Sequence, residues 1–461
     1  MELNFIGAAD TVTGSRTVLK YHNKIFLIDC GLFQGSKEMR ERNREPFPID
    51  VKSISAVLIT HAHIDHSGYL PRLVNQGYRG PIHCSRGTKD LLEIMLYDAA
   101  HLEEEFSATA NQTGYSNHKP AIPLFTRKDV SVVLKLIVAH ERSQWIDFEK
   151  SCSMRFLNAG HIIGASLLQL RFKVQSGPSL FTFSGDLGND RLATLRAPET
   201  IDETDVLILE STYGNRLQER EDLSIPLEST VKRIVESKGC LLIPSFAVGR
   251  AQEILFRIRQ LENEKRIPLL PVILDSPLSK AATDVFFKHS EDHRTNLKGM
   301  TPGDFLPRSF EVSESTDQSM MTGMRDGPLI VISAAGMLNG GRILHHLKRR
   351  LPYPENTVLF VGYQAEGTKG RFLQDHHEMG GMLRIHHREV EIEAQIETLH
   401  GLSSHADYKD ILEWLAGMEK YPRYLFLNHG SEESKTSLAE KIKERFDIKP
   451  IVVQHDLTKK F

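Results

Sequence analysis

The sequence has little of what would send a chain out of the cell or attract nucleic acid through bulk charge. Only four cysteines occur in 461 residues; Cys30, Cys84, Cys152 and Cys240 form no CxxC pair, so a disulfide framework and a thiolate metal site are not expected. No apolar run approaches a membrane span, and MELNFIGAAD at the start has no basic segment followed by a long apolar one. A cytoplasmic chain with no membrane partner is the expectation. The formal charge is -3, so any nucleic-acid surface must be local. There is no K/R-G-F/Y-G run of the RNA-binding type and no obvious GxxG clamp domain. The 40% of hydrophobic and 25% of charged residues are ample for sizeable cores and fit two domains better than one.

The first stretch alternates extended runs and turns: LNFIGA, RTVLKY, KIFLIDCG and ISAVLIT. These read as strands of a sheet with one face buried. Residues 88–118 begin helically and become a polar excursion. FLNAGHIIGASLLQLRFKV, SLFTFSGDLGN and TDVLILESTYGN return to strands, and each ends in a polar turn that carries His161, Asp186 or Glu210. After about residue 212 strand, turn and helix repeat, which implies a second, mostly parallel α/β sheet. The last stretch resembles the first, with His405 and His429 at strand-to-turn junctions. The simplest topology inserts a middle domain into the first, with bounds 1–211, 212–385 and 386–461.

LITHAHIDHSGYLP, residues 58–71, concentrates the chemistry. His61, His63, Asp65 and His66 fall within six positions directly behind a short apolar run. His61 and His63 can point the same way from a strand while Asp65 and His66 enter a turn, so two metals are suggested. Histidine and carboxylate without convergent cysteine suits zinc or manganese. His345, His346, His386 and His387 read as exposed. Ser403 or Ser404 is placed to cap the helix ADYKDILEWLAGM.

THAHIDHSG resembles the HxHxDH signature of the metallo-β-lactamase fold, and NAGHIIGA, FSGDLG and LNHG match its remaining metal positions. ILESTYGN, SSHAD and NHG are similar to the further motifs of the β-CASP branch, the RNA-processing and RNA-degrading nucleases. PSFAVGRAQE, SAAGM and GYQAEGTKGR resemble that branch's inserted domain. The likeness spans essentially the whole chain. It implies a metallo-β-lactamase αββα sandwich with an inserted α/β β-CASP domain. It also implies that His61, His63 and His161 hold one Zn(2+), that Asp65, His66 and His429 hold the other, and that Asp186 bridges them, Mn(2+) being the alternative ion. Asp29 would orient the metal-bearing loop. His405 would protonate the leaving oxygen with Glu210 paired to it, so that Asp65, Asp186, Glu210 and His405 make up the catalytic set.

In the inserted region, Arg250, Ser333 and Gly336 lie in small-residue loops before helices, and with Ser404 they are candidates for RNA phosphate contacts across a domain cleft. The leading expectation is a zinc-dependent ribonuclease acting mainly endonucleolytically on single-stranded RNA through metal-activated hydroxide. The alternatives are a DNA or small-molecule phosphodiesterase and a non-catalytic RNA-binding scaffold. RNA is the expected partner, and the resemblance adds a homodimer.

Overall fold

The computed structural model describes residues 1–114, 120–218, 222–376 and 381–461. The end of the polar excursion expected up to residue 118 lies outside the described residues, its helix running over Arg86–Thr113. Strands covered on one face alternate in burial, whereas those covered on both are buried throughout. β1 (Glu2–Phe5) alternates; β2 (Thr17–Tyr21), β3 (Lys24–Ile28), β4 (Ala56–Leu58), β5 (Ile82–Ser85) and β6 (Ile137–His140) follow it in one sheet. β7 (Ile146–Glu149), β8 (Cys152–Asn158), β9 (Ser166–Phe172), β10 (Leu180–Phe183) and the fully buried β11 (Val206–Glu210) build a second.

A third sheet takes β12 (Cys240–Pro244), β13 (Val272–Asp275), β14 (Phe310–Val312), β15 (Leu329–Ser333) and β16 (Thr357–Phe360). β17 (Met382–Ile385) and β18 (Arg388–Glu391) form a separate hairpin, and β19 (Gln395–Thr398) returns to the third sheet. β20 (Tyr424–Asn428) and β21 (Ile451–Val452) then complete the second sheet, and β22 (Thr458–Lys460) pairs antiparallel with β1.

The chain divides into two units, one of Met1–Asp190, Ala197–Leu217 and His405–Phe461, the other of Arg191–Arg196 and Gln218–Ser404. In the first, the order β22-β1-β2-β3-β4-β5-β6 packs against β21-β20-β11-β10-β9-β8-β7. Phe5, Phe26, Phe156, Phe172, Phe181 and Phe426, drawn from both sheets, fill the layer between them. This is the metallo-β-lactamase αββα sandwich. In the second unit the order is β14-β13-β15-β12-β16-β19, every pair parallel. Helix Arg250–Asn263 packs on one face of it and helix Ile343–Arg350 on the other.

Several local features differ from the sequence expectation. β19 pairs with β16, so the second unit runs on to Ser404, well beyond residue 385. Arg191–Arg196 also belongs to it, because the buried Glu253 carboxylate takes its donors there: Ala193 N at 2.8 Å, Thr194 N at 3.1 Å and Thr194 Oγ1 at 2.7 Å. His346 is buried, not exposed, since the Asp275 carboxylate meets its Nε2 at 2.5 Å. No helix among the described residues is long and apolar enough to cross a membrane.

Candidate metal centre

The loops that carry the motif residues leave the carboxyl ends of β3, β4, β10, β11 and β20, with His161 in the turn between β8 and β9. Close backbone packing brings them together. A Cβ on Gly31 would lie 1.6 Å from the Asp65 carbonyl oxygen, and one on Gly188 would lie 2.0 Å from that of Gly160. Only glycine permits either approach. The first draws the loop after β3 under the HxHxDH turn, and the second draws the Asp186 loop against the His161 turn.

His61, His63, His161 and Asp186 form one group of potential ligand atoms and Asp65, His66 and His429 another, the atoms of each lying within 4.8 Å of one another. In the first, His63 Nδ1 is 3.1 Å from both His61 Nε2 and His161 Nε2. Asp186 Oδ2 stands 3.3 and 3.4 Å from those two Nε2 atoms. In the second, His66 Nε2 is 3.0 Å from His429 Nε2, and Asp65 Oδ2 is 3.6 Å from His429 Nε2 and 4.0 Å from His66 Nε2. Asp186 Oδ1 lies 3.0 Å from His66 Nε2. The two oxygens of one carboxylate thus face two donor groups.

The residues fit a pair of cations. Asp186 Oδ1 is buried without a geometrically sound hydrogen bond, the His66 Nε2 atom lying 3.0 Å away, a costly arrangement for a carboxylate oxygen unless a ligand compensates it. Burial holds His61 and His161 below the ordinary imidazole range and His63 down at about 3, so these rings are neutral and able to ligate. Burial also opposes charge on His66, yet Asp186 and Asp29 raise it well above the usual value.

Behind the ligands, Asp29 fixes ring orientation. A carboxylate only accepts, so His66 Nδ1 donates to Asp29 Oδ2 at 2.7 Å and turns its Nε2 toward the group. Thr60 Oγ1 donates to Asp29 at 3.0 Å and therefore accepts from His61 Nδ1 at 3.2 Å. One carboxylate orients a histidine in each group. Thr212 does the same for His429, its Oγ1 lying 3.2 Å from Nδ1 and donating to the His429 carbonyl at 3.3 Å. Asp29→Asn, which puts an amide donor on one side of this hub, is expected to weaken metal affinity by ~10- to 100-fold with the fold retained. Competition with a chelator measures it.

His405 stands beside the first group. Its ring centroid is 4.5 Å from that of His161, and its Nδ1 is 3.2 and 3.3 Å from the Glu210 oxygens. Its Nε2 is 4.0 Å from Asp186 Oδ2. Burial opposes charge on this ring, but Glu210 and then Asp186 raise it to about 9. Glu210 Oε1 also accepts from Leu187 N at 2.6 Å, which ties the pair to the Asp186 loop. The helix after SSHAD starts at Tyr408, and Asp407 caps it by accepting from Lys409 N and Asp410 N. Ser403 and Ser404 therefore do not cap it, and His405 lies in the preceding turn.

The second unit contains the phosphate candidates. Ser333 is buried, its hydroxyl donating to the Asp275 carbonyl at 2.9 Å. Arg250 donates to the Val361 carbonyl, and Gly249 N is taken by Gln252 Oε1 at 2.7 Å. The Gly336 carbonyl accepts from Gln364 Nε2 at 3.0 Å. Ser404 is half-buried at the end of the unit. Thr60 and Thr212 lie outside the sequence expectation; their only signal there is that Thr60 directly precedes His61 and Thr212 stands two positions after Glu210.

Fold and donor set together define a metallohydrolase of the metallo-β-lactamase type. Models of known families match along the chain in order: a beta-lactamase superfamily domain over residues 24–244, a Beta-Casp domain over 251–373 and a Zn-dependent metallo-hydrolase RNA specificity domain over 389–453. Ribonuclease TTHA0252 of Thermus thermophilus is 37% identical, over 94% of this chain and 94% of its own. Transcription termination factor FttA of Methanocaldococcus jannaschii is 28% identical, over 97% of this chain and 69% of its own. A crystal structure of a protein of unknown function from Enterococcus faecalis V583 shares the fold, with a TM-score of 0.55 at 16% identity over 99% of each chain. The chain belongs to the metallo-β-lactamase-fold β-CASP ribonuclease family.

Proposed function

We propose that this protein is a zinc-dependent ribonuclease that hydrolyses phosphodiester bonds of single-stranded RNA, mainly endonucleolytically. The observation that carries the reading is the Glu210–His405 pair beside a carboxylate whose two oxygens face two histidine groups. Simple hydrolysis of lactams, lactones or thioesters does not account for the second α/β unit. The name of the Thermus relative, a ribonuclease, supports the substrate.

His61, His63 and His161 would hold one ion and Asp65, His66 and His429 the other, with Asp186 placed to serve both. Zinc suits this nitrogen and oxygen donor set, with manganese as the alternative. Ions bound there activate water and neutralise charge on the scissile phosphate. Glu210 holds Nδ1 of His405, which leaves Nε2 to give its proton to the departing 3′ oxygen. Water attacks phosphorus and the P–O3′ bond breaks, so the 2′-OH is not consumed, the upstream fragment ends in a 3′-OH and the downstream fragment keeps a 5′ phosphate. Arg250 and the loop at Gly336 contribute to holding the RNA.

The test pairs elemental analysis of freshly prepared protein with cleavage of matched single-stranded RNA and DNA. About two equivalents of zinc and a clear preference for RNA are expected. Equal cleavage of DNA would move the substrate class to nucleic acids in general. Cleavage of neither polymer by metal-loaded protein would remove the nuclease reading.

A further inference from the structure

In an open parallel sheet, ligands bind at the carboxyl ends of two neighbouring strands whose following connections leave over opposite faces. β12 and β15 are such a pair here. From β12 the chain passes through helix Arg250–Asn263 to β13, and from β15 through helix Ile343–Arg350 to β16 on the other side. The two helices pack into separate cores on the two faces of the sheet. The loops at this point carry Phe246, after β12, and Gly336, after β15; Gly362 follows β16.

Phe246 is 41% exposed, although it sits at the end of a fully buried strand. Both glycines lie against it. A Cβ on Gly336 would come 3.2 Å from Phe246 N and 3.4 Å from its ring Cδ2, and one on Gly362 would come 3.6 Å from ring Cε2. Neither glycine has a positive φ, so backbone conformation does not demand glycine at either position. What they share is that a side chain at either site would lie on the phenylalanine ring. The same Gly362 Cβ position is 4.0 Å from the Arg250 guanidinium carbon. A bare aromatic ring beside a cation matches the two parts of a nucleotide, a base with a π face and a phosphate with negative charge.

We infer that Phe246 is a stacking platform for one unpaired base of the RNA, kept open by Gly336 and Gly362, with Arg250 taking the adjoining phosphate. The inference rests on the ribonuclease reading and adds to it a contact that depends on the base and not on the backbone alone. Stacking on a ring is tolerant of base identity, so the contact selects for unpaired bases over paired ones without imposing a strict sequence.

The test uses an unstructured RNA oligonucleotide and a set of copies in which one nucleotide at a time is abasic. For the metal-loaded wild type, one position in the set should raise KM by ~5- to 100-fold, the worth of one stacked base. Phe246→Ala should raise KM on the intact RNA by a similar factor, keep wild-type zinc content and lose sensitivity to that abasic position. Phe246→Trp should restore both the lower KM and the sensitivity. Gly362→Ala, whose methyl has room but would cover the ring, should fall between wild type and Phe246→Ala. An abasic profile that is the same in wild type and Phe246→Ala, at equal KM, would overturn the inference and fit a face for a protein partner. Absence of RNA cleavage by the wild type is a separate result, which would remove the ribonuclease reading itself.

Discussion

Asp186→Ala is expected to lose metal and turnover together. Its Oδ2 lies 3.3 and 3.4 Å from the Nε2 atoms of His61 and His161, and its Oδ1 lies 3.0 Å from His66 Nε2. Among the described residues no other carboxylate divides its oxygens between the two ligand groups in this way, so its removal is expected to weaken both. Zinc content should fall from about two equivalents to below one, and RNA cleavage by on the order of 10³-fold or more, beyond what one preorganised electrostatic group contributes. Asp186 also sits in a net of hydrogen-bonded loops, so circular dichroism and thermal unfolding must accompany the assay. A variant that keeps both ions and near-normal turnover would show that Asp186 is not the bridge.

His405→Ala should separate the two functions. Its Nδ1 is held by Glu210, and its Nε2 is 4.0 Å from Asp186 Oδ2; it belongs to neither metal-ligand group. Both ions should therefore remain, with RNA affinity nearly intact. Turnover should drop ~10²- to 10⁴-fold, the usual contribution of a positioned acid or base. A substrate whose leaving oxygen is replaced by sulfur needs little protonation, so cleavage of a 3′-bridging phosphorothiolate RNA should lose much less. If zinc leaves His405→Ala as it leaves Asp186→Ala, the ring is a ligand and not an acid.

The donor set was legible in the sequence because its chemistry is local. His61, His63, Asp65 and His66 declare themselves by crowding into one turn, whereas the more distant His161, Asp186 and His429 sit in ordinary-looking polar turns and were singled out as ligands by the family resemblance. The outer contacts were not legible in that way. Thr60 and Thr212 matter through the direction of a hydroxyl, which depends on where Asp29 and the His429 carbonyl come to rest. His346 reads as exposed until its distant partner Asp275 is placed beside it.

The limits of the fold expectation have similar causes. The alternation in QIETL suits any sheet, and only pairing with β16 assigns β19 to the second unit. TKK at Thr458–Lys460 has no apolar alternation, yet it forms β22 because the open edge of β1 offers backbone partners. A serine close to a helix start is a sound capping signal, but Asp407 stands nearer and accepts two backbone hydrogen bonds. Phe246, Gly336 and Gly362 lie in motifs that the sequence already matches to the inserted domain, but their meeting was not legible, because an exposed aromatic and two glycines from three loops become one surface only after the sheet is formed.

The central claim is that these residues direct water, and not the substrate's own 2′-OH, onto an RNA phosphodiester. The most direct measurement is cleavage of an unstructured RNA in water enriched in oxygen-18, with the products resolved by mass spectrometry and Asp186→Ala run as the control. The account predicts one heavy oxygen in the 5′ phosphate of each downstream fragment, a free 3′-OH on each upstream fragment and no product from the control. A 2′,3′-cyclic phosphate, or a product formed equally by the control, would contradict it.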